Sequence, residues 1–399
     1  MSLSVGNGRI VFLIAVTIAA GQLGVSLYLP AMPSIGDDLT ISPSWMAMTL
    51  AVYFAGFAFF TLVTGPFSDA LGRRFTILRG LEVYCAGTFL CAIASDIALL
   101  LFGRLLQAFG ASCAPAVGKA IIQDISEEDR TVILMGWLAA AMSITPAVAP
   151  FIGGIIVQYL EWRWIFWSLL IFNVLMWLIN LYALPETLPS TSSRTLQLTS
   201  MLKTYREFLG NRVYTGYVLI LGACFGGLGA FYTASPYVFI QGFHLSPFFY
   251  GLITLIIVAG FSTGNLGVGL LIRSRWAHQT LYIGGFTLFV GAFGMFFTPK
   301  AFVLVPTVVA TSFLFAFGFG VIYPLITKEA LGCYVDRAGA AAAFLGFTQR
   351  GGSALSSLAV AFVISVSMSS YSAMALIMFL CAIFVMAIVY RIQCREKRC

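Results

Sequence analysis

Long apolar stretches alternate with short polar segments along almost the whole chain. A helix needs about 20 apolar residues to cross the hydrocarbon core of a membrane. Open sheets cannot satisfy their backbone polar groups in lipid, so each stretch is predicted to be a helix. The twelve predicted spans lie at residues 10–29, 45–67, 75–95, 97–119, 131–158, 163–184, 213–238, 247–271, 280–298, 302–327, 338–364 and 371–390.

The longest polar interval, residues 185–212, separates six predicted spans from the other six. We interpret it as a linker, within which the segment MLKTYREFLGN can form a short amphipathic helix at the membrane surface. The sequence therefore predicts an N-terminal six-helix bundle at 1–186, a cytoplasmic linker at 187–212, and a C-terminal six-helix bundle with a short basic tail at 213–399.

Composition supports this reading, because 60% of the 399 residues are hydrophobic and only 9% are charged. Soluble domains carry about 25% charged residues, so no sizeable soluble domain is expected. The formal charge of +7 is spread between apolar spans and forms no patch for nucleic acid. The eight Cys and two His have no metal-ligand spacing, and we expect neither metal nor cofactor.

The positions of Lys and Arg predict the orientation in the membrane. Positive charges concentrate in cytoplasmic loops, and one alternation of loops contains all but four of the 22 Lys and Arg. The exceptions are Arg163 and Lys300 in opposite loops, and Arg104 and Arg350 within spans. Both termini are therefore predicted to be cytoplasmic, which requires an even number of crossings.

The loop between the second and third spans, GPFSDALGRRF at 65–75, has an acid at its start and a basic pair at its end. Gly65 and Gly72 would permit close helix approach. Asp69 could lie at the positive N-terminus of a neighbouring helix, and Arg73 could pair with acids across a closed cytoplasmic gate, to which Arg74 also belongs. The alternative is an ordinary positively charged cytoplasmic loop.

Further motifs follow in order. RLLQAFGA at 104–111 places an Arg and a Gln inside a span, where a charge must be paired or wetted. TPAVAPFIGG at 145–154 carries Pro146 and Pro150, which bend a helix, and Gly153 and Gly154, which allow close packing. Four other segments are SLYLPAMPSIGDDL at 26–39, WRWIFW at 162–167, PET at 185–187 and TASPYVF at 233–239.

Taken together, these motifs resemble the major facilitator superfamily and, within it, the Bcr/CflA drug:proton antiporters. The resemblance covers nearly the whole chain. It implies two pseudo-symmetric six-helix bundles that rock by alternating access in a bacterial inner membrane. It also implies proton-coupled multidrug efflux by a functional monomer, with the 65–75 loop and Asp124 forming the gate.

One position departs from that subfamily: Ser26 stands where many members have an acid in the first span. Other groups must then carry the proton. The candidates are Glu82 in the third span, whose neighbour Arg79 offers a structural ion pair instead, Asp124, and Arg104 as a partner that competes for a carboxylate.

Arg350, in the eleventh predicted span, is a second departure. An Arg that faces a central cavity offers a bidentate site for a carboxylate or phosphate. This favours the alternative of an anionic metabolite, such as a carboxylate siderophore, although the side chain could instead snorkel. The predicted cavity residues are Ser26, Tyr28, Tyr53, Gln107, Tyr232, Tyr237, Tyr323 and Arg350.

Two other classes of protein fit less well. A membrane enzyme would need paired His, acids or phosphate-binding loops, and GGLG at 226–229 and GFG at 318–320 are more typical of helix packing. A receptor or scaffold would leave the gate loop and the prolines of the fifth span without a role.

Overall fold

The computed structural model describes residues 5–125, 128–188, 198–273, 279–334, 337–366 and 368–396. Their secondary structure is helical. The α-helices in chain order are α1 Val5–Ser26, α2 Met32–Asp38, α3 Pro43–Leu71, α4 Arg73–Ala92, α5 Ile97–Ile125, α6 Glu128–Tyr159, α7 Arg163–Ala183, α8 Leu198–Gly210, α9 Arg212–Pro236, α10 Pro247–Arg273, α11 Thr280–Phe297, α12 Val305–Gly332, α13 Ala338–Ser365 and α14 Ser370–Glu396.

Each predicted span corresponds to one long helix. Within the described residues, ten helical segments are long and apolar enough to cross a membrane. The two remaining long helices are α6, which contributes the shorter apolar segment Thr145–Tyr159, and α13. The polar run Thr348-Gln349-Arg350 lowers the hydropathy in the middle of α13. The prediction of an all-α membrane protein is confirmed.

Prolines account for the largest differences from the predicted boundaries. The first span, predicted to end at 29, stops as α1 at Ser26 and continues through a 3-10 turn, Leu29–Ala31, into the short helix α2. Pro30 and Pro33 lack the backbone N–H that a continuous helix would require. Similarly, α9 ends at Pro236 and passes into a π-helical turn, Tyr237–Gly242. These prolines shape the ends of two helices that meet across the molecule.

Glycines let pairs of helices approach closely in both halves. A Cβ added to Gly87 of α4 would lie 2.7 Å from the Gly103 carbonyl oxygen of α5. In the corresponding pair of the second half, a Cβ on Gly318 of α12 would lie 2.5 Å from the Gly284 carbonyl oxygen of α11. Small residues are the usual means of packing helices in lipid, because they let backbones touch.

The two halves meet mainly through α3 against α13 and α6 against α10. We call the membrane face where α1 begins and α14 ends the termini face, and the other the opposite face. At the opposite face the Tyr237 hydroxyl donates to the Met32 carbonyl over 3.2 Å, and the Phe151 and Phe248 ring centroids are 5.3 Å apart. At the termini face, Tyr205 of α8 donates to the Leu62 carbonyl over 3.2 Å.

The linker between the two halves contains α8, which covers most of the segment proposed as an amphipathic helix. Phe208 of α8 is fully buried, with its ring centroid 4.4 Å from that of Tyr334 and 5.3 Å from that of Tyr214. An ion pair of 2.7 Å joins Glu207 to Arg337. The linker helix is therefore anchored on the second half while Tyr205 touches the first.

Candidate gate and substrate site

The gate residues cluster around Arg73, the first residue of α4. Its guanidinium pairs with Asp69, bonds to the Ser68 hydroxyl over 2.6 Å, and bonds from Nε to Asp124 Oδ2 over 3.0 Å. Asp69, Arg73 and Asp124 were all predicted for the gate. These described partners all belong to the first half, and pairing of Arg73 with acids across a closed cytoplasmic gate stays a prediction. The network joins the ends of α3, α4 and α5 into one unit.

Glu186 joins the predicted gate residues, although the sequence did not single it out. Its carboxylate accepts from the backbone N–H of Arg73 over 2.9 Å and of Arg74 over 3.1 Å. These are the first two residues of α4, whose N–H groups have no partner inside the helix. Glu186 thus occupies the place suggested for Asp69, at the positive end of a helix. The signal was available in the PET segment, which places an acid directly after α7.

The two gate glycines behave differently. Gly72 has φ of +104°, and a Cβ there would lie 2.6 Å from Glu186 Oε2. A side chain at Gly72 would therefore be strained and would displace the capping carboxylate. Around Gly65, by contrast, no atom of another described element lies within 4 Å of the Cβ position, so the predicted close approach is absent there. Arg74 bonds to the Leu181 carbonyl of α7.

Arg104 lies fully buried inside the first half. Its Nη1 donates to the Gly24 carbonyl and to Gln107 Oε1, both over 2.8 Å. The guanidinium carbon lies 4.4 Å from the Tyr28 ring centroid and 4.3 Å from that of Tyr53, an arrangement that favours a cation. This cluster ties α1, α3 and α5 together.

The predicted cavity residues therefore divide into two groups. Tyr28, Tyr53 and Gln107 are buried in the Arg104 cluster, Ser26 is buried at the end of α1, and Tyr237 seals the opposite face. These five residues do not line an open cavity. Their side chains are buried and are engaged in contacts within the first half or, for Tyr237, between the two halves. Tyr232, Tyr323 and Arg350 are half-buried and lie together between the halves.

Arg350 projects from α13 toward aromatic side chains of both halves. Its guanidinium carbon is 4.9 Å from the ring centroid of Phe57 in α3 and 6.0 Å from that of Phe225 in α9. The Tyr53, Tyr232 and Tyr323 hydroxyls are close enough to interact with it electrostatically. Phe57 was not predicted, because nothing in a run of phenylalanines distinguishes the ring that meets a partner helix.

Glu82 lies apart from these groups. Its carboxylate pairs with Arg79 over 2.6 Å and accepts from the Trp177 indole N–H over 3.1 Å. Arg79 lies one turn earlier on α4 and Trp177 lies on α7, and both helices belong to the first half. The structure thus gives Glu82 the local ion pair that was one of its two sequence interpretations.

The helix-bend motif lies where the halves touch. Pro146 and Pro150 fall inside the continuous helix α6, and a Cβ on Gly153 would lie 3.0 Å from the Leu27 Cα. A Cβ on Gly154 would lie 2.9 Å from the Pro247 carbonyl carbon of α10. The backbone of Leu27 in the first half and of Pro247 in the second half therefore leaves no room for a side chain at Gly153 or Gly154.

Three of the quoted motifs also meet at the opposite face. Asp38 Oδ2 accepts from the Trp162 indole over 3.0 Å and from Arg163 over 2.9 Å. Tyr237, from the TASPYVF segment, bonds to Met32 of the first motif. Segments far apart in sequence therefore form one sealed surface.

Two packed helical halves with ten apolar spans among the described residues define a multi-pass membrane protein. The family model described as Major Facilitator Superfamily matches residues 14–357. The chain therefore belongs to the major facilitator superfamily and is a secondary transporter rather than an enzyme. This confirms the predicted fold of two six-helix halves.

Curated relatives carry transporter names. The chain is 29% identical over 344 residues to the Bacillus subtilis uncharacterized MFS-type transporter YdgK, covering 84% of each chain. It is 28% identical over 334 residues to the Citrobacter koseri multidrug resistance protein MdtL, covering 83% of each chain. These relatives place the chain among transporters.

Solved structures share the fold at low identity. A bacterial homolog of the human lysosomal transporter Spinster, in an inward-facing and unoccupied conformation, superposes with a TM-score of 0.76 at 12% identity. That match covers 98% of this chain and 96% of the other. The human organic anion transporter MFSD10 gives a TM-score of 0.66 at 17% identity, covering 95% and 99%.

Proposed function

We propose that this protein exports drugs or other small organic molecules from the cytoplasm across a bacterial inner membrane in exchange for protons. One observation carries this proposal. Tyr232, Tyr323 and Arg350 are half-buried and lie between the two halves, which contact each other at the opposite face. The MdtL relatives, named multidrug resistance proteins, support efflux. So do the Bcr/CflA-like motifs.

The concentration of Lys and Arg in one set of loops supports a cytoplasmic termini face. In that orientation the described state is closed to the outside, and substrate enters from the cytoplasm. Alternating access then requires the Tyr237–Met32 and α6–α10 contacts to separate while the two halves move closer together at the termini face. One chain contains both halves, so a monomer suffices.

Asp124 is the proton carrier that we propose in place of the acid missing at Ser26. Its carboxylate is held by Arg73 over 3.0 Å and by the Thr187 hydroxyl over 3.4 Å, and its side chain is 16% exposed. Protonation removes the charge that holds Arg73, which loosens the junction of α4 with α5. Asp69 remains on Arg73 throughout and keeps the guanidinium neutralised.

Proton coupling is tested in sealed proteoliposomes that contain a pH-sensitive dye and carry an imposed proton gradient. Ethidium, chloramphenicol and nalidixate are added separately as cationic, neutral and anionic drugs. We expect at least one to discharge the gradient in the wild type, Asp124→Asn to abolish that signal, and Glu82→Gln to keep it. Identical traces with wild-type protein and protein-free liposomes for all three drugs would refute export coupled to protons.

A further inference from the structure

The Arg350 guanidinium makes no hydrogen bond or ion pair with any residue in the described part of the chain. A charge placed at this depth is costly unless it is paired or wetted. Two other buried cations have polar partners: Arg73 has two carboxylates, and Arg104 donates two hydrogen bonds from Nη1 and lies over two tyrosine rings, while its Nε and Nη2 have no partner among the described residues. Arg350 alone of these three presents its hydrogen-bond donors to the space between the halves.

The surroundings of Arg350 are positive as well. The Arg104 guanidinium carbon lies 4.3 Å from the Tyr53 ring centroid, and Tyr53 is close enough to interact electrostatically with Arg350 as well. Among the described residues, no carboxylate pairs with either cation. The ion pairs of the described residues lie elsewhere: Asp69 and Asp124 pair with Arg73, Glu82 with Arg79, Asp38 with Arg163, and Glu207 with Arg337. The field in this space favours an anion and disfavours a second cation.

Aromatic rings form the walls beside this donor. Phe57 approaches from α3, and Phe225 from α9 contacts Tyr323 with ring centroids 6.2 Å apart. Phe261 of α10 packs against Tyr323 at 5.7 Å. Such walls bind flat apolar groups through buried area and ring stacking.

We propose that the substrate is an organic anion with a flat apolar body, whose carboxylate or sulfonate pairs with Arg350. The planar guanidinium donates two parallel hydrogen bonds to the two acceptor oxygens. The apolar body packs against Phe57 and Phe225, and the Tyr232 and Tyr323 hydroxyls complete the polar side. This deepens the proposed function and rests on its placement of the substrate between the two halves.

Three probes with one ring system isolate the role of charge: 2-naphthoate is anionic, 2-naphthamide is neutral and 2-naphthylmethylammonium is cationic at pH 7. Binding to the full-length protein in detergent is measured by isothermal titration calorimetry. We expect naphthoate to bind at least about tenfold more tightly than the amide, because a hydrogen bond to a charged group contributes about 1.5–3 kcal/mol. The ammonium should bind most weakly.

Substitutions then locate the effect. Arg350→Gln should remove the preference for naphthoate over naphthamide, whereas Arg350→Lys should retain part of it. The matched control is Lys300→Gln, which removes one positive charge from an exposed loop at the opposite face and should leave the preference unchanged. Comparing the two ligands within each variant cancels any general loss of folded protein.

Equal affinity of the wild type for all three probes would overturn the proposal without any variant being needed. A preference for naphthoate that persists in Arg350→Gln would also overturn it. The proposed export function would fail independently of the anion site if naphthoate bound selectively but none of the three drugs discharged the proton gradient. Conversely, drug export with no naphthoate preference leaves export standing and removes the anion site.

Discussion

Substitution of Gly154 by Ala is expected to open the opposite face of the protein. The new Cβ would lie 2.9 Å from the Pro247 carbonyl carbon and 3.2 Å from the Phe248 Cα. Both are backbone atoms, so no side-chain rotation relieves the contact, and α6 and α10 must move apart. Overpacking of this kind costs about 1–3 kcal/mol.

This cost applies only to the state in which the halves touch at the opposite face. A conformation with that face open has no such contact, so the whole penalty shifts the equilibrium between the two states. A difference of about 1–3 kcal/mol changes the population ratio by roughly 5- to 150-fold. Export should fall, because the sealed state that admits substrate from the termini face becomes rarer.

Pulsed electron resonance between spin labels at positions 160 and 249 measures this shift. Leu160 follows α6 and Phe249 lies in α10, and both are exposed near the opposite face. We expect Gly154→Ala to increase the population at longer distances. The matched control is Gly267→Ala in α10, where no atom of another described element lies within 4 Å of the new Cβ. Both variants share the helix-propensity gain of up to about 1 kcal/mol. An unchanged distance distribution, or equal lengthening in the control, would refute the reasoning.

Four further substitutions test the remaining sites. Glu186→Gln should lower the stability of the first half by about 1–2 kcal/mol, because a neutral side chain caps the α4 N-terminus less well than a carboxylate. Thermal unfolding in detergent measures this effect, and an unchanged melting temperature would contradict it. Arg104→Lys should lower the free energy of unfolding by about 2 kcal/mol in the same assay, because one ammonium cannot keep both hydrogen bonds and both ring contacts. A melting curve equal to that of the wild type would show that these contacts contribute little to stability. Glu82→Gln should leave drug-driven proton movement intact, and its loss in proteoliposomes would return Glu82 to the transport pathway. Tyr205→Phe should leave the fold intact but accelerate exchange between states by removing the bond to the Leu62 carbonyl, which single-molecule fluorescence would register as shorter dwell times.

Much of the fold followed from the sequence because a lipid solvent leaves few choices. All twelve predicted spans appear as long helices, since each backbone N–H and C=O must find its partner within its own segment. The prolines were also readable: Pro30, Pro33 and Pro236 stand where helices end or change geometry. These are local effects, and neighbouring residues suffice to state them.

Pairings between distant residues were harder to foresee. Asp69, Arg73 and Asp124 were predicted for one gate, and they do meet, because the motif and the end of the fourth span lie at the same membrane face. Glu186 was missed, although it lies at that face too. Several carboxylates could reach the start of α4, and only the path of the chain after α7 brings this one to the two free N–H groups.

The sequence by itself determined the number of spans, their apolar character and the presence of two arginines in unusual places. It could not distinguish Arg104 from Arg350, because both are single charges in apolar helices. The tertiary structure separated them: Arg104 is fully enclosed by α1, α3 and α5, whereas Arg350 is half-buried beside rings from the other half. Whether a charge is satisfied depends on which helices surround it, and that packing arises only when all the helices assemble.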